Sequence, residues 1–264
     1  VALIGAPNVG KSTLLNALVG AKVTIVSHKV QTTRSLVRGI AIEGPAQIVF
    51  IDTPGIFNPR RTLDRAMVTT AWGGAKDADV VAFLIDAERG IKGDAAAILE
   101  KLKDVAQPKI LILNKVDRVK RGTLLELAAK ANEAVAFERT FMVSALQGSG
   151  CDDLLSYFAE TLPVGPWYYP EDQISDLPMR QLAAEITREK LFLRLHQEVP
   201  YAIHVETEKW EERKDGSVRI DQVVYVERDS QKKIVIGKGG ETIKAIGQAA
   251  RKEIAEILEQ KVHL

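Results

Sequence analysis

The sequence predicts a two-domain α/β protein: a larger domain with a mostly parallel six-stranded sheet flanked by helices, then a smaller α+β domain. Three observations predict it. Short apolar runs alternate with amphipathic stretches through the first 163 residues, four prolines fall within 162–178, and beyond them the order of elements changes. At 264 residues the chain is long enough for two domains that each bury a core. We divide it into 1–163, a linker at 164–178, and 179–264.

The strand-like runs are VALI (1–4), LVRGIAIE (36–43), QIVFID (47–52), VVAFLID (80–86), KILILN (109–114) and TFMVSA (140–145). Amphipathic stretches such as 94–105 and 123–137 lie between most of them, as crossover helices of a parallel sheet would. Gly44–Ala46 is too short for a crossover, so the second and third runs should form an antiparallel hairpin at one side of the sheet. Gly73 and Gly74 stand inside a predicted helix, against the low helix propensity of glycine. Each proline of 162–178 fixes its own backbone and turns its predecessor from the helical region, which makes this stretch a linker. After it, 179–197 has helical spacing, while 201–213 and 217–229 alternate as strands about a KDG turn. The stretch SQKKIVIG is ambiguous: its β-branched residues favour strand, whereas the order of elements around it favours helix. A glycine loop, an amphipathic helix over 240–260 and the start of a strand at KVHL complete the chain.

Apolar residues make up 46% and charged residues 27%, the balance of a soluble globular protein. The longest apolar runs are too short to span a bilayer, and the start lacks the basic n-region of a signal peptide. Cys151, the single cysteine, fits a reducing compartment. A formal net charge of +1 means that any nucleic-acid surface must be a local cluster. Both ends are expected to be trimmed, the last strand among them.

The motifs that carry chemistry stand at strand ends. GAPNVGKS fits G-x-x-x-x-G-K-S between a strand and a helix, the context in which that spacing wraps a phosphate chain. Gly5, Ala6, Pro7, Asn8, Val9 and Gly10, with Thr13 in the helix, should enclose the phosphates. Lys11 should reach the β/γ oxygens, and Ser12 should ligate Mg²⁺. In DTPG, Asp52 is placed to hold Mg²⁺ through water, and Gly55 can offer its amide to a γ-phosphate. In NKVD, Asn114 and Lys115 precede Asp117, whose carboxylate can accept two hydrogen bonds from guanine; adenine would leave it unpaired, which predicts GTP over ATP. In SAL, Ser144, Ala145 and Leu146 bring the Ala145 amide to the guanine O6. The connecting stretch VSHKVQTTRSLVRG should supply a threonine that meets Mg²⁺ when the γ-phosphate is present: Thr33, with Thr32 its rival. The catalytic set is therefore Lys11, Thr33, Asp52 and Gly55, and the metal set Ser12, Thr33 and Asp52. Ile56 stands where a Ras-like enzyme carries the glutamine that orients water, so intrinsic hydrolysis should be slow. Asn8 is either a turn former or part of a site for K⁺. In this fixed order at the carboxyl ends of strands, where ligands sit in open α/β sheets, the motifs together resemble those of a P-loop GTPase of the translation-factor class.

A second loop, IVIGKGGETI, lacks the P-loop spacing and matches I-G-x-x-G. Such a loop between helices brings amides and a lysine to a nucleic-acid backbone, as in KH domains. The candidate RNA-binding residues are Ile236, Gly237, Lys238, Gly239, Gly240, Lys244 and Arg251, with Lys232, Lys233 and Lys252 nearby. Ile236, Ile243 and Ile246 read as core residues before they read as a groove. Helix, strand, strand, helix, loop, helix, strand is the type II order of KH folds.

On GAPNVGKS, SHKVQTTR, DTPGIF, NKVD, SAL and VIGKGGETIK followed by QAARKEIA, the chain resembles the Era family over essentially its whole length. The resemblance implies a GTPase domain joined to a type II KH domain, with GTP or GDP and Mg²⁺ bound. It implies binding to the 3′ end region of small-subunit ribosomal RNA and to the 30S subunit during ribosome assembly. It implies a cytoplasmic monomer, with peripheral attachment to the inner membrane kept as an option. From the residues alone the reading is a GTP-switched binder of single-stranded RNA. The rival readings are a ribosome-associated GTPase with tandem G domains, which a single P-loop disfavours, a signalling or transport GTPase whose second domain binds protein, which leaves GKGG and its lysines without a use, and a nucleotide-dead scaffold, which Lys11, Ser12 and Asp52 oppose.

Overall fold

The computed structural model describes residues 1–29, 32–195 and 199–264. Val30 and Gln31 of SHKVQTTR, and the last two positions of the helix expected over 179–197, lie outside the described residues. Two compact units result: Val1–Thr24 with Val30–Asp176, and Ile25–Lys29 with Leu177–Leu264.

The first unit runs β1 (Ala2–Ile4), α1 (Lys11–Val19), β2 (Val37–Glu43), β3 (Ala46–Asp52), α2 (Thr62–Lys76), β4 (Val81–Asp86), α3 (Asp94–Lys101), β5 (Lys109–Asn114), α4 (Arg121–Ala134), β6 (Arg139–Val143) and α5 (Cys151–Thr161). Its sheet has the order β2-β3-β1-β4-β5-β6. Among the described strands of this sheet only the β2–β3 pair is antiparallel, at the edge where the short Gly44–Ala46 connection requires it. Side chains alternate across the sheet and both faces are covered. Leu3, Ala82, Leu84, Ile110 and Ile112 pack with α1 and α5; Ile4, Phe83, Ile85, Leu111 and Leu113 pack with α2, α3 and α4. That is why these strands read as continuous apolar runs. Gly74 has a packing reason, since a Cβ there would lie 3.1 Å from Leu36 of the loop before β2. Gly73 faces open space, and nothing in the structure explains it.

The proline-rich stretch is ordered along the outer edge of β2. The Ile40 N–H donates to the Ile174 carbonyl at 2.9 Å. The Arg38 guanidinium pairs with Asp176 at 2.9 Å. The Gln47 amide donates to the Tyr169 carbonyl and accepts from the Tyr168 and Tyr169 N–H groups. An edge strand that would otherwise expose unpaired backbone groups is thereby covered.

The second unit comprises α6 (Met179–Arg194), β7 (Ile203–Glu212), β8 (Val218–Val226), α7 (Asp229–Ile236), α8 (Glu241–Leu258) and β9 (Val262–His263). Its sheet has the order β7-β8-β9, with β7 antiparallel and β9 parallel to β8. The order of elements matches the expected type II KH arrangement. The ambiguous SQKKIVIG is helical because its start is capped: the Gln231 side chain accepts the Arg228 N–H at 3.0 Å, and Asp229 sits in the first turn. Leu182, Ala183 and Ile186 of α6 and Ala250 and Ile254 of α8 pack on Val218 and Ile220. The segment Ile25–Lys29 joins this unit through the Val26 N–H, which donates to Glu189 at 2.8 Å.

Candidate nucleotide and RNA sites

Gly5 to Ser12 connect β1 to α1 at the carboxyl end of the sheet, with Thr13 in the first turn of the helix. Lys11 is buried, and its ammonium donates to the Gly5 and Ala6 carbonyls at 3.1 Å each. Burial lowers its pKa to about 8, against the opposing pull of Asp52. Gly10 has φ 99°, and a Cβ there would come within 2.2 Å of the Asn114 amide nitrogen, so no larger residue fits without displacing Asn114. Asn8 also has a left-handed backbone, φ 64°, which favours its reading as a turn former. The Pro7 ring borders Gly55, and Val9 is buried.

Three hydroxyls converge on one carboxylate oxygen. Asp52 Oδ2 accepts from Ser12 at 2.6 Å and from Thr33 and Thr24 at 3.3 Å each. Ser12 and Thr33 are themselves 3.1 Å apart. Asp52 is fully buried and burial raises its pKa, while Lys11 and the three hydroxyls hold it down. Its Oδ1 has no hydrogen-bond partner among the described residues. A carboxylate with a spare buried oxygen and two candidate hydroxyls beside it is a hard oxygen set of the kind Mg²⁺ takes. The Ile56 N–H donates to the Gly5 carbonyl at 3.0 Å, tying DTPG to the phosphate loop, and the Ile56 side chain is buried.

The base-side residues meet through Asn114. Its amide donates to the Val9 carbonyl at 2.8 Å, and its oxygen accepts the Lys115 and Ala145 N–H groups at 2.8 and 3.0 Å. One side chain thus fixes the phosphate loop, NKVD and SAL together. Asp117 lies exposed in a short 3-10 turn, Val116–Arg118. Ser144 is buried with its hydroxyl unpartnered among the described residues, and Leu146 is exposed. Three residues were missed by sequence reasoning. Thr24 adds the third hydroxyl; Asn16 of α1 holds Thr24 in place through its N–H and carbonyl. Asp86 pairs with Lys115 at 2.6 Å. Asp86 was detectable, because it ends β4 as Asp52 ends β3 and Asn114 ends β5.

In the second unit Gly237 has φ 75°, and a Cβ there would overlap the Thr242 hydroxyl at 2.1 Å, so the loop demands glycine. Lys238–Gly240 form a 3-10 turn between α7 and α8. Lys232, Lys233, Lys238, Lys244, Arg251 and Lys252 are all exposed. Lys244 and Arg251, seven residues apart on α8, lie opposite the buried Ile246, Ala250 and Ile254. The core expectation holds for Ile246 and partly for Ile243, but Ile236 is 40% exposed. It ends α7, beyond the reach of the core, and stands beside the lysines.

The sheet order, the P-loop and the joined Asn114–Ala145 pocket define a P-loop GTPase unit, followed by a unit of KH fold. Family models agree: one described as "50S ribosome-binding GTPase" matches residues 1–115, and one described as "KH domain" matches 198–264. The chain is 81% identical to GTPase Era of Rhizobium meliloti (strain 1021), over 100% of this chain and 84% of the relative. It is 78% identical to GTPase Era of Agrobacterium fabrum (strain C58), over 100% and 83%. Among solved structures, Era in complex with MgGDPNP and nucleotides 1506–1542 of 16S ribosomal RNA superposes with a TM-score of 0.94, at 38% identity, covering 100% of this chain and 90% of that one. A single-site variant of Aquifex aeolicus Era bound to GDP·AlF4⁻ gives 0.93 at 39%, with the same coverage. The chain belongs to the GTPase Era family, and its reaction is the hydrolysis of GTP.

Proposed function

We propose that this GTPase is a nucleotide-controlled binder of the 3′ end region of small-subunit ribosomal RNA that assists assembly of the 30S subunit. The observation that carries it is the second loop: glycines that admit a backbone, ringed by exposed lysines on an otherwise nearly neutral chain. The solved relative bound to 16S ribosomal RNA supports the same ligand class.

In the nucleotide unit, the amides of the 5–12 loop receive phosphate oxygens and Lys11 neutralises their charge. Ser12, Thr33 and Asp52 are the residues that would hold Mg²⁺, which when bound spreads the charge developing on the β/γ oxygens. Gly55 presents its N–H to the γ-phosphate. Asp117 reads guanine, Ala145 offers its amide to the base, and Lys115 borders the pocket from the phosphate-loop side. Ile56 cannot orient water, so turnover is slow until an activator supplies the missing group. Hydrolysis withdraws what Thr33 is ordered by. The chain from Thr33 back to Thr24 includes Ile25–Lys29, which belongs to the second unit, so this segment is the physical carrier of the nucleotide signal. The same reading has the protein act as a cytoplasmic monomer, where subunit assembly takes place.

The test is crosslinking of a 16S ribosomal RNA 3′-terminal oligonucleotide to wild type, Lys238→Glu and Gly239→Asp, with GTP hydrolysis measured in parallel. Gly239 has open space around it and φ 60°, which aspartate tolerates, so the second variant changes charge without a clash. Crosslinking should fall about tenfold or more in both while hydrolysis is retained. Undiminished crosslinking would refute the RNA assignment.

A further inference from the structure

We propose that Asp86 is a positioning residue for guanine nucleotide binding, holding the Lys115 ammonium against the phosphate loop. The proposal rests on the reading of Asn114, Lys115 and Asp117 as the guanine pocket. Asp86 ends β4 directly opposite Asn114 in the parallel register, and the Ala87 N–H donates to the Asn114 carbonyl at 2.9 Å. Its carboxylate is 3% exposed. Oδ2 accepts from Lys115 Nζ at 2.6 Å, and Oδ1 accepts the Glu88 N–H at 3.0 Å, which fixes the carboxylate's orientation. The same ammonium donates to the Asn8 carbonyl at 2.8 Å. Lys115 is therefore a bridge with one charged anchor, Asp86, and one neutral anchor in the phosphate loop.

A flexible lysine keeps one geometry only where a fixed partner outweighs its hydration and its rotamer entropy. The Asn8 carbonyl is a neutral acceptor, and charge-assisted bonds are roughly twice as strong as neutral ones. Without the Asp86 carboxylate the ammonium would return to solvent, since Lys115 is a quarter exposed. The consequence reaches further than one side chain. Lys115 takes a left-handed backbone, φ 66°, and its carbonyl accepts the Arg118 N–H at 3.0 Å in the turn that displays Asp117. Pinning Lys115 at Asn8 and at Asp86 thus fixes the distance between the phosphate loop and the base-reading carboxylate. Asp86 acts through Lys115 and touches neither phosphate nor base in this account.

The experiment follows dissociation of a fluorescent GDP analogue from the full chain, together with KM and kcat for GTP, in wild type, Asp86→Asn, Lys115→Met and the double variant. Asparagine keeps an oxygen for the Glu88 amide and removes the charge. Asp86→Asn should raise the off rate about tenfold and KM in step, with kcat falling less than twofold. In the Lys115→Met background the same change should add less than about twofold, because the partner is already gone. A full tenfold effect in that background, or no effect in wild type, would overturn the proposal. Asp86→Glu, which keeps the charge, is the second variant and should stay within about threefold of wild type; a tenfold loss there would count equally against it. Asp117→Ala separates the two levels. If it leaves GDP affinity unchanged, the pocket reading fails; if it weakens GDP while Asp86→Asn does not, only the role of Asp86 fails.

Discussion

The Lys11 ammonium lies buried between two backbone carbonyls and the Asp52 carboxylate, and its proton is correspondingly loose. Burial brings its pKa to about 8, whereas a solvated lysine titrates near 10.5. Phosphates require the charged amine, so above pH 8 the nucleotide-bound state holds a proton that the free state lacks. Raising the pH therefore favours the free state, and GDP affinity should fall by about tenfold per unit from pH 8 upward. Titration calorimetry in two buffers of different ionisation enthalpy checks this, by detecting proton uptake at pH 9 that is absent at pH 6.5. At this scale the motifs were legible because each is a short run of fixed chemistry at a strand end: Lys11, Asp52, Asn114 and the Gly237–Gly240 loop all stand where the spacing put them. Thr24 and Asn16 were not legible. They act through a hydroxyl and an amide brought to Asp52 by the fold of the segment after α1, and neither residue type announces such a role.

Among the elements, the parallel strands were the most readable, since burial on both faces leaves a continuous apolar signature. The helix α5 is the least readable of the first unit, and the sequence pattern alone marks no element there. Its apolar positions Leu154, Leu155, Phe158 and Leu162 have helical spacing, and Asp152 and Asp153 favour its start, but the signal lies just before the prolines that dominate the local reading. The structure makes α5 a principal cover of one sheet face. Phe158 is completely buried and meets Phe50 of β3 edge to face at 5.6 Å. Phe158→Ala should lower the unfolding free energy by about 3–5 kcal/mol in denaturant titrations, because the cavity lies between sheet and helix and cannot collapse. A loss below about 1 kcal/mol would mean that α5 is peripheral. In α7 the β-branched residues misled at the level of propensity, and the cap at Arg228–Gln231 decided the outcome. Edge cover of β2 by residues 168–176 was invisible to composition, which registers prolines and not the hydrogen bonds between them.

At the level of the whole molecule, the proposed function gives two glycine-lysine loops two kinds of phosphate. The first is lined by buried groups such as Lys11 and Asp52; the second carries exposed lysines that would meet a polynucleotide, on a chain whose formal net charge is only +1. Buried charge gives a tight, selective site, and exposed charge gives a salt-dependent one. In the proposed function the nucleotide state at the first loop sets the RNA affinity of the second. The most direct measurement is the affinity of wild type for a 16S ribosomal RNA 3′-terminal oligonucleotide, titrated at one salt concentration with GDPNP bound and again with GDP bound. Binding should be at least about tenfold tighter with GDPNP, a difference abolished by Thr33→Ala. Equal affinity in the two nucleotide states, with both nucleotides verified as bound, would contradict it.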